Sequence, residues 1–235
     1  MRALAIPMLL LSFACAANTA RTENQPRRLL AEMKAACGGA AWDHAKAWHE
    51  RSTAEIPGLP LLQNEVWHDL HSLKSAMVSR ADGRVMRATG FNGKTTWLKG
   101  PDGQVRISSD PVRLRQQRRD SYLSSFGWFF PDRFPATFNL VGEADYLGER
   151  YLVLNVAPKD ADPFDLWVDA ETRLVRRIVA GDESADLSDY RTFAGVCTAT
   201  TGRQRSEPGG PEMVLRVIEV TTGEAAPPTV FEPPE

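Results

Sequence analysis

Apolar and polar positions alternate with period two along most of this chain, the signature of strands with two unlike faces. The clearest run lies between Thr137 and Thr192. There Leu152, Leu154 and Val156 alternate with Tyr151, Val153 and Asn155, and Phe164, Leu166 and Val168 with Asp165, Trp167 and Asp169. Asp169-Ala170-Glu171-Thr172 then reverses the chain into Arg173 to Val179, since an aspartate at the start of a turn bonds its own backbone two residues on. A further reversal near Gly181-Asp182 leads into Asp186 to Tyr190, so the stretch predicts an antiparallel meander.

The segment from Ala41 to Val105 speaks the same language. Ala41 to Ala54 and Leu61 to Ser72 read as extended, divided by the breaker cluster Ile56-Pro57-Gly58-Leu59-Pro60. Asp82-Gly83 marks a hairpin between Leu73 to Arg80 and Arg84 to Phe91. Turns at Phe91-Asn92-Gly93-Lys94 and Asp102-Gly103 follow, which makes a second meander. Val196 to Gln204 and Met213 to Thr221 supply the last strands, and residues 223–235, rich in Pro and Ala, read as a loose tail in which Val230-Phe231 docks locally at most.

Two stretches have helical spacing. Pro26 opens the first, with Leu29, Leu30, Met33 and Ala36 or Cys37 forming one apolar stripe that Gly38-Gly39 ends. The second starts at Ser109 or Asp110 as cap, with Pro111 in the first position, and runs through Leu123. It carries Arg115, Arg118, Arg119 and Tyr122 on one side, readable as a basic face for an anionic headgroup or partner, or as a solvated face. Phe126-Gly127-Trp128-Phe129-Phe130 follows, the densest aromatic cluster in the sequence, suited to core or to the cap of a cavity.

Composition narrows the class. The 235 residues are 43% hydrophobic and 25% charged, enough for a full core. A net charge of −2, with Lys and Arg scattered, gives no electrostatic case for nucleic acid. Residues 1–20 have the anatomy of a secretory leader: Arg2, an apolar run from Leu4 to Phe13, and Ala14-Cys15-Ala16 as an A-x-A site. The alternative makes Cys15 an acylated first residue, an anchor that is marginal on its own and allows peripheral membrane contact at most. Cleavage after Ala16 leaves Cys37 and Cys197, which either pair in an oxidising compartment, worth about 2–4 kcal/mol, or stay separate thiols.

Chemistry is sparse. His68 and His71 lie three apart, so in a strand their rings diverge and no metal pair forms. No C-x-x-C, G-x-S-x-G, P-loop, dinucleotide fingerprint or H-E-x-x-H occurs, and no cofactor is implied. The residues therefore point to a non-enzymatic binding protein.

A leader, a helix, a strand meander, a helical insertion and a second meander together resemble the LolA/LolB family of lipoprotein-carrier folds. Phe91-Asn92-Gly93-Lys94-Thr95-Thr96-Trp97 is similar to a turn-and-strand signature there. The hairpin from Leu166 to Arg177 and the segment Asp189-Tyr190-Arg191 with Gly195 are similar to later ones. Similar segments occur in the domain preceding some bacterial retropepsin-like proteases, whose Asp-Thr-Gly or Asp-Ser-Gly triplet is missing from this sequence. The Arg-Pro pair that the carriers bear in an early strand is also missing, the comparable region being Leu70-His71-Ser72-Leu73-Lys74-Ser75. The resemblance implies a mainly β (α+β) domain over residues 21–222. Its single curved antiparallel sheet would form an incomplete barrel, with the N-terminal helix and the helical insertion covering the open concave side. It implies a periplasmic or envelope protein that binds acyl chains, a lipid or lipoprotein acyl groups in a cavity, with Trp97, Phe126, Trp128, Phe129, Phe130 and Trp167 as cavity candidates. The alternative expectation is an envelope module that holds a protein partner through the strand surface or through Arg115, Arg118 and Arg119.

Overall fold

A computed structural model of the chain describes residues 13–207 and 209–234, with side chains from residue 25 onward. The expected leader at 1–20 and the alternative acylation at Cys15 lie outside the residues so described. Three helices are present: α1 (Phe13–Ala36), α2 (Ala41–His44) and α3 (Pro111–Ser124). The strands are β1 (Ala47–Glu55), β2 (Leu62–Asp69), β3 (Ser75–Ala81), β4 (Arg84–Phe91), β5 (Thr96–Lys99), β6 (Val105–Ser108), β7 (Ala136–Tyr146), β8 (Glu149–Pro158), β9 (Phe164–Asp169), β10 (Val175–Ala180), β11 (Glu183–Phe193), β12 (Val196–Arg205) and β13 (Glu212–Thr221).

All thirteen strands join one antiparallel sheet, in the order β6-β5-β4-β3-β2-β1-β13-β12-β11-β10-β9-β8-β7. Two meanders, β1–β6 and β7–β13, are therefore stitched together where the first strand meets the last, with His49 opposite Thr221 and Glu55 opposite Val214. The outer strands β6 and β7 do not pair, so the sheet stays an open half-barrel. The link between these two edges carries α3 and a 3-10 turn at Gly127–Phe129. The expected fold class holds.

Local chemistry places the turns. Asp82 and Gly83 both take positive φ, 50° and 74°, the geometry of a two-residue hairpin turn whose twist matches its strands. Asp169 Oδ1 accepts from the backbone N–H of Glu171 at 3.0 Å and of Thr172 at 2.7 Å, and Asn92 Oδ1 accepts from Lys94 and Thr95 in the same manner. Asp110 caps α3 by accepting from the Arg113 N–H at 2.9 Å, with Pro111 at the first helical position.

Two expectations are corrected. Helix α1 begins upstream of Pro26, whose ring removes one donor from the helix without ending it. Residues 41–44, expected to be extended, form α2, and its Trp42 is completely buried with the indole donating to the Cys37 carbonyl at 2.8 Å. The tail docks locally through Phe231, at the Val230-Phe231 pair singled out above, while most of residues 223–230 are exposed. Phe231 lies buried against Ala76, Ala88 and Trp97, and the Trp97 indole donates to the Phe231 carbonyl at 2.8 Å.

The main core lies on the concave side. Leu29, Leu30 and Met33 of α1, Trp42, and the Trp128-Phe129-Phe130 run meet Leu154, Val156, Phe164, Leu166 and Val168 of β8 and β9. Each such side chain contributes about 1.5–3 kcal/mol by leaving water. Gly38 has φ 115°, and a Cβ there would stand 2.2 Å from the Gly195 carbonyl oxygen. Only glycine lets the end of α1 approach the β11–β12 turn so closely.

Candidate functional site

Inward-facing rows can be read directly from the register. Across β1, β2 and β3 they run Trp48–His68–Ser75, Glu50–Val66–Met77 and Ser52–Asn64–Ser79, the second continuing to Thr89 of β4. This half of the sheet faces a cavity of about 570 Å3. Its walls include Val66 and Met77 on one side, Val175, Ile178, Leu187, Leu215 and Val217 on another, and Phe126, Trp128 and Phe129 at the end. Helix α3 borders the cavity with Gln117, Asp120, Ser121 and Leu123.

The aromatic end is firmly built. Phe126 has φ 51° and ψ 42°, a left-handed conformation that redirects the chain from α3 into the 3-10 turn. Its ring centroid lies 4.6 Å from that of Trp42 and 5.2 Å from that of Trp48. Trp42 also meets Phe129 at 5.3 Å, so the cavity end rests on a buried aromatic cluster.

Helix α3 is attached to the sheet by polar contacts. Ser75 and Ser121 hydroxyls lie 3.2 Å apart, and Gln117 Nε2 donates to both, at 3.4 and 3.3 Å. Arg119 reaches the Glu183 carboxylate at 3.2 Å and its neighbour Asp120 at 2.8 Å.

Two polar groups inside the cavity have no partner among the described residues, His68 Nδ1 and Trp128 Nε1. The Ser52 hydroxyl interacts with the Glu50 carboxyl. Glu50 accepts from the Trp48 indole at 3.0 Å, and burial pushes its carboxyl above the usual carboxylate range. Burial also drives the His68 imidazole down to about 4, so it is neutral at pH 7. Asp120 is raised by burial against the pull of Arg119. Asn64 is satisfied, accepting from the Ser79 hydroxyl at 2.7 Å.

Of the cavity candidates read from the sequence, Phe126, Trp128 and Phe129 line this space. Phe130 lies beside it in the core, under the cations of Lys34 and Arg133. Trp97 and Trp167 are corrected: both are on the opposite face of the sheet. Trp97 pairs with Gly90 on the face that carries Phe231, and Trp167 meets Tyr146 edge-on and Tyr151 at a tilt, with centroids about 6 Å apart. Strand parity puts Leu166 and Val168 inside, which sends Trp167 outside.

The basic face is corrected too. Arg115 bonds Asp162 at 3.2 Å, Arg118 donates to the Asp160 carbonyl at 3.4 Å beside a second cavity of about 290 Å3, and Arg119 is buried in its pairs with Asp120 and Glu183. Arg119 turns into the fold, whereas Arg115 and Arg118 stay at the surface in contacts with Asp162 and Asp160, so the three do not form a common open surface.

Cys37 and Cys197 stand as neighbouring free thiols, with the Cys197 N–H donating to the Cys37 carbonyl at 2.8 Å. Burial, with Cys197 nearby, pushes the Cys37 thiol up to about 12. Both border the cavity. His68 faces inward, whereas His71 sits in the exposed turn after β2. No cluster of metal-ligating side chains occurs among the described residues, nor a helix long and apolar enough to cross a membrane.

The sequence reading missed Glu50, Ser52, Asn64, His68 and Asp120 as cavity residues. In β1 and β2 the alternation of the first four with other polar residues resembles that of a solvated strand, and only the placement of α3, which carries Asp120, reveals the difference.

Neither a family model nor a curated protein matches the sequence. Solved structures match the fold. A DUF1329 family protein from Desulfovibrio piger aligns with a TM-score of 0.61 at 15% identity, covering 90% of this chain and 97% of that one. A putative outer membrane lipoprotein-sorting protein domain from Vibrio parahaemolyticus aligns at 0.58 and 11% identity, covering 89% and 97%. A LolA superfamily protein from Nitrosomonas europaea aligns at 0.55 and 15% identity, covering 83% and 97%. The fold of this chain is LolA/LolB-like.

Proposed function

We propose that this protein is exported to the periplasm or envelope and carries a hydrophobic ligand in the cavity under α3, without catalysis. The ligand class is an acyl chain, a lipid, or the acyl groups of a lipoprotein. The cavity itself carries the reading: about 570 Å3 walled by Val66, Met77, Ile178, Leu215, Val217 and three aromatic rings. That volume falls within the roughly 300–1,000 Å3 of small-molecule sites, and each buried methylene contributes about 0.8 kcal/mol. A lipoprotein-sorting role, which the name of the Vibrio parahaemolyticus structure suggests for that protein, is one form of this function.

Native mass spectrometry after gentle purification is expected to find a bound lipid. The purified chain is also expected to take up the apolar fluorophore N-phenyl-1-naphthylamine. Met77→Trp, which fills the cavity from β3, should abolish uptake while leaving the melting transition cooperative. An empty protein that ignores the fluorophore would defeat the reading.

The alternative of an envelope module holding a protein partner through Arg115, Arg118 and Arg119 has less support, because those side chains are committed within the fold. Export would also place Cys37 and Cys197 in an oxidising compartment, where their adjacency favours a disulfide. The intact mass with and without reductant reads this directly.

A further inference from the structure

The smaller cavity, of about 290 Å3, opens on a different side of α3. Arg118 and Tyr122, one turn apart on that helix, border it, whereas Gln117 and Ser121 face the large cavity. The β2–β3 and β4–β5 turns, the approach to β7 and the β8–β9 loop complete its walls. Its charge is one-sided. Arg118, Arg133 and Lys159 line it against a single carboxylate, Asp160, and no carboxylate forms an ion pair with any of the three cations among the described residues. Arg118 and Arg133 each give one N–H to a backbone carbonyl, of Asp160 at 3.4 Å and of Leu70 at 3.3 Å, so each guanidinium keeps most of its donors. Tyr122 is an independent sign. It lines the same cavity, is only 1% exposed, and its hydroxyl has no partner among the described residues. Buried hydroxyls are almost always paired, so this one indicates a missing acceptor.

We infer that the smaller cavity binds a phosphate-type oxyanion, held by Arg118, Arg133 and Lys159 and hydrogen-bonded by the Tyr122 hydroxyl. Guanidinium forks match phosphate oxygens two at a time. A phosphate monoester carries about −1.5 to −2 charge at pH 7, which balances three cations set against one carboxylate. A carboxylate ligand leaves part of that surplus unmatched, and an uncharged one leaves all of it. Free phosphate and the phosphate monoester headgroup of a lipid offer the same chemistry. The site is separate from the carrier reading, since none of its residues lines the large cavity.

Calorimetric titration of the full chain with inorganic phosphate, and with dihexanoyl phosphatidate below its micelle concentration, tests this. At least one should bind with a Kd under about 1 mM. Arg133→Gln/Lys159→Gln, at two exposed positions, should weaken that binding about tenfold or more while the melting transition stays cooperative. Arg84→Gln/Arg87→Gln, which removes the same charge from exposed positions of β4, should leave it within about twofold. Tyr122→Phe should weaken it about fivefold without lowering the melting temperature, because the hydroxyl has no protein partner to lose. Phosphatidate binding no tighter than inorganic phosphate assigns the site to the free ion. Tighter binding that the Arg133→Gln/Lys159→Gln change removes assigns it to a lipid headgroup. Absence of binding by both, affinity retained in Arg133→Gln/Lys159→Gln or in Tyr122→Phe, or an equal loss in the β4 variant overturns the inference. The carrier reading stands or falls separately, on the fluorophore.

Discussion

The two halves of the concave surface obey the same alternation and use it for opposite ends. On β8 and β9, Leu154, Val156, Leu166 and Val168 face inward, fully buried, and meet α1 and the aromatic run in a dry core. On β1 to β3 the equivalent inward positions hold Trp48, Glu50, Ser52, Asn64, His68, Ser75 and Met77, and a cavity lies above them. One half is closed by its own side chains. The other is spanned by α3, which seats Tyr122 in the core beside Phe164 and is tied to the sheet through Gln117, Ser121 and Arg119. A half-barrel can thus keep its stability in one half and reserve the other for binding.

Substitutions should separate the halves sharply. Leu166→Ala, on the packed side, is expected to destabilise the fold by about 3 kcal/mol, because the lost transfer energy is joined by the cost of an unfilled hole. Chemical denaturation measures it, and a loss under 1 kcal/mol would contradict a dry core there.

The next effect is a pH dependence confined to the polar half. His68 titrates near 6.5 when unfolded but only at about 4 when folded, so between these values the unfolded state binds more protons. Stability should therefore fall as pH drops from about 6.5 to about 4, by up to roughly 3 kcal/mol, and His68→Leu should flatten that decline. Glu50 acts with the opposite sign. Its carboxyl is raised on folding, so its contribution is complete at low pH and is lost as pH rises through the folded value. Glu50→Gln should remove that alkaline-side loss in melts run across the same pH series.

Smaller still is Asn64→Leu, which orphans the Ser79 hydroxyl and should cost about 1 kcal/mol. Ser52→Ala should be the smallest, about 0.5 kcal/mol, the low end for one hydrogen bond, here the one between Ser52 and the Glu50 carboxyl. A destabilisation above about 2 kcal/mol by Ser52→Ala would show that the polar half is held as tightly as the packed one, and would erase the distinction between the halves.

What the sequence determined by itself was everything governed by neighbours in the chain. The Asp169, Asn92 and Asp110 turns and caps were legible because each side chain bonds backbone only two or three residues away. The consecutive antiparallel neighbours followed from those turns. Non-local facts were decided only by the tertiary structure. Period two says that a strand has two faces, but not which one the helices cover, so Trp97 and Trp167 were expected inside and lie outside. The β1–β13 pairing, the docking of Phe231 across more than a hundred residues, and the enclosure of Glu50, Ser52 and His68 beneath α3 all depend on distant segments meeting. A polar residue in a strand is solvated or buried according to what lies above it, and that is set by packing rather than by its neighbours in sequence.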